Sequence, residues 1–218
     1  MTESAGKRCT HPVRRAFLCA GLIIMAFGVA FSIKAALGTS PISSVPYVTA
    51  RISGLSVGTT TIIMNFIFVL IQIGILRKQY QWFQLLQFPA AVLFGVMIDV
   101  AEAVLAPLPA GNYLQQWLLC AVGIVLIALG VSVEVMANLV TTAGEGIVLA
   151  ICKVFPVKFG NMKMAFDITL VCISIVLSLL FLGQLDGVRE GTVAAAVLVG
   201  QITKRFQPLM KALERAVL

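Results

Sequence analysis

The sequence predicts an all-α polytopic membrane protein of six transmembrane helices plus two short helices, arranged as two inverted three-span repeats. Three observations carry that expectation. Of the 218 residues, 60% are hydrophobic and only 11% charged, a balance outside the range of soluble domains. Apolar windows of spanning length recur at about 16–37, 57–76, 84–105, 114–136, 160–182 and 189–207, each close to the roughly 20 residues that cross a hydrocarbon core. The chain also resembles itself at an offset of 102 residues.

Segment 1–15 is basic, with Lys7, Arg8, Arg14 and Arg15, and is expected to stay cytoplasmic. The apolar run behind it is too long for a signal-peptide h-region and lacks a small-residue cleavage site, so it reads as an anchor. The first repeat, 16–105, holds that span, a short helix at about 41–54 and two further spans. The linker 106–113, "APLPAGNY", contains no Lys or Arg and is placed outside. The second repeat, 114–207, runs through a short helix at about 143–155, and 208–218 returns to the cytoplasm.

This layout puts thirteen of the sixteen Lys and Arg residues inside, leaving Lys34, Arg51 and Arg189 outside, as the positive-inside rule prefers. Letting the short helices cross gives twelve inside and four outside, so helix length decides as much as charge. At roughly 20 Å the short helices fall short of a core of about 30 Å. Three spans per half is an odd number, so the second copy is reversed, the plan of many secondary transporters.

The repeat itself places "FGVAFSIKAALGTSPISSV" from Phe27 over "LGVSVEVMANLVTTAGEGI" from Leu129 without a gap. Gly28 falls on Gly130, Leu37 on Leu139, Thr39 on Thr141, Ser40 on Thr142 and Asn65 on Asp167. "AAVLFG" (90–95) then matches "AAVLVG" (195–200) at nearly the same spacing.

In "GTSPIS", Gly38 permits a turn, Ser40 is an N-cap candidate and Pro41 suits the first helical position. The second copy, "VTTAGEGI", offers Thr142 as cap and Glu145 in the first turn, where the helix dipole favours negative charge. Irregular backbone at membrane depth is tolerated only inside protein or beside a watered cavity. Thr39, Ser40, Ser43, Thr141, Thr142 and Glu145 are therefore the candidate solute-binding residues, the exposed N–H groups of the helix starts being the expected donors. The alternative is a pair of packed interfacial helices whose caps only satisfy backbone. Ionisable groups within spans are costly unless paired or hydrated. Glu134 and Asp167, with Asn65 as the amide counterpart of Asp167 and Arg189 beside Glu190 at an interface, are the candidate coupling or gating residues. Asn65 and Asp167 equally suit helix–helix hydrogen bonding. Asp99, Glu102 and Lys34 lie near interfaces, where solvation accounts for them.

A charge of +7 needs no nucleic acid, because most basic residues fall at span ends. Cys9, Cys19, Cys120, Cys152 and Cys172 are scattered singly and His11 is the one histidine, so no metal site and no cofactor is expected. No nucleotide-binding, serine-hydrolase or zinc-protease motif is present, and the protein is not expected to be an enzyme. Ala196 and Gly200, four apart, allow close helix packing; self-association into a homo-oligomer stays open.

From "LGTSPISSVPYVTARISGLSVGTTTII" (37–63) and "GVREGTVAAAVLVG" (187–200), the chain resembles the YczE/YyaS/YitT family of bacterial integral membrane proteins over nearly its whole length. Leu37 to Pro41, Gly54, Ser56, Gly58 and Thr59 match motifs of that family. Ile42 and Ser43 stand where an aromatic and an acidic residue are expected, whereas Glu145 keeps the acidic position in the second half. The resemblance implies a multi-pass protein of the bacterial inner membrane and names no substrate. Together these features point to a small-solute secondary transporter, with or without proton coupling, whose site lies between the halves. The rival is a membrane-embedded accessory or regulatory protein that binds another membrane protein or a lipid. A channel would want a continuous polar stripe, and none is visible.

Overall fold

The computed structural model describes residues 12–109 and 111–217. Lys7, Arg8, Cys9 and His11 of the basic leader and Ala110 of the linker lie outside the described residues, as do the side chains of Lys78 and Arg215 used in the charge argument. The described chain is helical throughout: α1 Pro12–Ala35, α2 Pro41–Ser53, α3 Val57–Leu76, α4 Gln87–Leu105, α5 Tyr113–Ala137, α6 Ala143–Val154, α7 Phe159–Leu177 and α8 Glu190–Val217. Two 3-10 turns, Arg77–Gln79 and Trp82–Leu86, lead into α4, and a π turn, Ser178–Leu182, extends α7.

Among the described residues five segments are long and apolar enough to cross a membrane: Pro12–Ala35, Val57–Leu76, Trp82–Leu105, Tyr113–Ala137 and Phe159–Leu182. The expected sixth, α8, is not among them. Its apolar run lasts only from Gly191 to Thr203 before Lys204 and Arg205, and 13 residues cover only about 20 Å of helix.

The short helices fall where the sequence places them. α2 opens with Pro41 at its first position and closes on Gly54, whose φ of 74° is left-handed, the ordinary geometry of a glycine helix end. The turn before it uses Ala36 at φ 55° and Gly38 at φ 92°. The equivalent turn in the second half uses Asn138 at φ 47°, which stands 102 residues after Ala36. Helix starts repeat likewise: Pro41 and Ala143, and Val57 and Phe159, are each 102 residues apart.

The most extensive helix pairing is α1 against α5. Gly21 lies against Gly130, and Gly28 against Gly123, so close that an added Cβ would sit 3.0 Å from the Gly130 carbonyl in one case and 2.9 Å from the Gly123 carbonyl in the other. Residue number rises on one helix as it falls on the other, so the pair is antiparallel. The crossing is also reciprocal, because Gly123 and Gly130 are the repeat counterparts of Gly21 and Gly28. Leu22, Met25, Ala26 and Val29 of α1 form the main core with Ile98 of α4 and Ile127 of α5. Each short helix packs on the second long helix of the other half, α2 on α7 and α6 on α3. The remaining helices pack within their own half, α4 on α1 and α8 on α5.

Candidate functional site

The two short-helix starts meet. The Ile42 side chain presses on Gly144, leaving no room for a Cβ there, and these two residues are repeat counterparts 102 positions apart. Neither start is capped by its hydroxyl as the sequence suggests. At the first, Ser40 Oγ donates to Ser43 Oγ at 3.0 Å. Thr39 gives both its N–H (3.0 Å) and its hydroxyl (3.3 Å) to the Gly187 carbonyl. Thr39, Ser40 and Ser43 are buried and satisfied among themselves and this loop.

The second start is built differently. α5 ends at left-handed Asn138, and the chain folds back so that the Thr142 N–H donates to Glu134 Oε1 at 2.5 Å. Glu134 is 3% exposed. The N–H of the cap residue Thr142 is therefore given to a carboxylate of the same chain, which is the charge the helix dipole favours at that end.

Beside this carboxylate lies a small enclosed space of about 10 Å³ bordered by Asn65, Gln87, Glu134, Thr141 and Thr142, with Leu22 and Phe94 among its apolar walls. Such a volume suits one water-sized group. A larger cavity of about 170 Å³ adjoins it, lined by Gln81, Phe83, Gln84, Gln87, Leu139, Val140 and Thr141. Gln87, Val140 and Thr141 border both spaces. Asn65 borders the inner space and donates one Nδ2 hydrogen to the Thr61 carbonyl at 2.9 Å. Gln87 is 3% exposed, yet its Oε1 has no partner among the described residues, and the buried Oε1 of Gln84 has none either. Among the described residues no Lys, Arg or His lines either space.

The other sequence candidates lie apart. Asp167 Oδ1 accepts from Lys163 Nζ at 2.6 Å, one turn away on α7. Glu145 lies within electrostatic range of both that pair and Glu134 but borders neither space. Arg189 pairs with Glu190 at 3.4 Å and donates to the Ala36 carbonyl at 3.0 Å, tying the start of α8 to the turn after α1. Asp99 caps α3, accepting from Ser56 Oγ and the Gly58 N–H, both at 2.7 Å. Of the two candidate sets, the structure brings Thr141 and Thr142 to the same small space as Asn65 and Glu134, and it adds Gln81, Gln84 and Gln87, which the sequence reading did not single out. The signal for those three was an amide every third residue in "QWFQLLQ", which puts them along one side of a helical turn running into a span. Among the described residues no group of three or more His, Cys, Asp or Glu is gathered for a metal ion.

Residues 13–208 match the family described as "Family of unknown function (DUF6198)". The chain belongs to this family. Two relatives come from Bacillus subtilis (strain 168). The "Uncharacterized membrane protein YczE" is 30% identical over 199 residues, covering 90% of this chain and 86% of that protein. The "Uncharacterized protein YyaS" is 26% identical over 193 residues, covering 88% of this chain and 90% of that protein. Both names agree with the likeness that the LGTSP and glycine-rich stretches carry. No solved structure matches.

Proposed function

We propose that this chain is a small-solute secondary transporter of the bacterial inner membrane, not an enzyme, with its site at Glu134, Thr141, Thr142, Asn65 and Gln87. The observation that carries the reading is the pair of adjoining cavities at the second short-helix start, where buried acceptor groups without partners border space large enough for a solute. An accessory protein held together by packed helices has no use for an unpartnered Gln87 amide, because such a group costs roughly 1 to 3 kcal/mol when left dry.

On this reading the halves are inverted and the spans number six, with both termini cytoplasmic and 106–113 external. The reciprocal antiparallel crossing of α1 and α5 supports inversion, since repeat-related helices that cross antiparallel are related by an axis perpendicular to them, in the membrane plane. α8 serves as the sixth span, its apolar 191–203 bounded by Lys204 and Arg205, whose long side chains snorkel to the interface. Proton coupling falls to Glu134. A buried carboxylate that takes either a proton or a solute donor, one at a time, links the two movements, whereas Asp167 is engaged by Lys163.

A single cysteine replacing Thr141, in an otherwise cysteine-free chain, tests passage through the site. Reaction with an impermeant thiol reagent is expected in both right-side-out and inside-out vesicles. Reaction in only one orientation would favour the accessory-protein reading.

A further inference from the structure

We infer that the site accepts a small organic cation bearing N–H donors and rejects anions, an inference that rests on the transporter reading. The sequence alone points the other way, since two helix N-termini facing a cavity favour an anion. The lining of the space decides otherwise. Glu134, whose Oε1 accepts the N–H of the cap residue Thr142, borders the inner space, so a carboxylate stands beside the start of α6 where a solute would approach.

Two glutamines at the space point the same way, whereas Asn65, which gives one of its two amide hydrogens to the Thr61 carbonyl, keeps a donor as well as an oxygen. Gln87, 3% exposed, and Gln84 hold acceptor oxygens without partners. An unpaired buried acceptor is relieved by a donor and made worse by another acceptor. Among the described residues no cationic side chain borders either cavity to neutralise an incoming anion. The inner space admits one water-sized group, so a single N–H group of the solute's head reaches Glu134 there, and the outer cavity of about 170 Å³, with Gln84, Gln87, Phe83 and Leu139 in its walls, receives the rest of the solute.

Three small species of similar trigonal planar shape vary the charge: guanidinium, urea and nitrate carry plus one, zero and minus one. Each is titrated at millimolar concentration against the full chain purified in detergent, and apparent melting temperature is read. Guanidinium is expected to raise it along a saturating curve, urea weakly, and nitrate not at all. Glu134→Gln keeps the shape and an oxygen that accepts from Thr142, and its own ligand-free melting temperature is the baseline for its titrations. Its guanidinium affinity should fall about ten- to a hundred-fold, the worth of one charged hydrogen bond. Tetramethylammonium, a cation without donors, should stabilise less than guanidinium. Stabilisation by nitrate, an equal response to urea and guanidinium, or no response to guanidinium that Glu134→Gln removes would each overturn the inference. None of these outcomes alters the two-sided reaction expected at position 141, so a wrong charge class and a wrong transporter reading give different results.

Discussion

Adding one methyl group at Gly28 should destabilise the protein, and adding it at Gly200 should not. A Cβ on Gly28 falls 2.7 Å from the Ile127 backbone nitrogen and 2.9 Å from the Gly123 carbonyl oxygen. Both obstacles are backbone, so relief requires α1 and α5 to part by several tenths of an ångström along their main contact. Overpacking of this kind typically costs about 1 to 3 kcal/mol. Gly200 is also within a helix, α8, but its Cβ would meet nothing within 4 Å. The intrinsic helix gain of glycine to alanine, about 1 kcal/mol, is common to both sites. The difference between Gly28→Ala and Gly200→Ala therefore isolates the steric part, about 1 to 3 kcal/mol. Gly21→Ala should behave like Gly28→Ala, and the double variant should lose less than the sum, because one parting of the helices relieves both contacts. Denaturant titration of the purified variants in mixed micelles reads these differences. Equal stability of Gly28→Ala and Gly200→Ala would refute the close crossing, and strict additivity would refute the shared displacement.

Asp99→Ala should lower stability by about 1 to 2 kcal/mol in the same titration, because its carboxylate accepts from Ser56 Oγ and the Gly58 N–H at a helix N-terminus. Glu134→Gln should abolish the pH dependence of solute uptake into proteoliposomes while Asp167→Asn retains it, since Asp167 is paired with Lys163; the opposite result would return coupling to Asp167. A cysteine at Asn112 should react with an impermeant reagent on intact cells, and reaction only after lysis would reverse the topology.

Much of the helix layout is legible in the sequence because its signals are local. Gly38, Pro41 and Gly54 punctuate the chain through backbone geometry alone, and the boundaries of α2 follow from them. The repeat makes the second short helix legible too, although Ala143 replaces proline there. α8 shows where local signals fail. Its likeness to α4 marks it as a span, but Lys204 and Arg205 shorten its apolar run, and a motif match carries no information about hydrophobic length. The site is half legible for a related reason. A carboxylate within a span stands out by its desolvation penalty, so Glu134 is conspicuous, whereas Gln87 is neutral and lies at a span end. That Glu134 occupies the donor of Thr142, eight residues on, depends on the left-handed turn at Asn138, and no spacing rule announces such a turn.

The central claim is that two halves of opposite orientation surround one site, and repeat-related positions test it most directly. Leu55 and Val157 are exposed, lie in the turns after the two short helices and stand 102 residues apart. Cysteines placed singly at these positions, in an otherwise cysteine-free chain, are treated with an impermeant thiol reagent on intact cells. Inverted halves predict reaction at position 55 from outside and at position 157 only after the membrane is opened. Reaction of both from the same face would contradict the account, since it would make the repeats parallel.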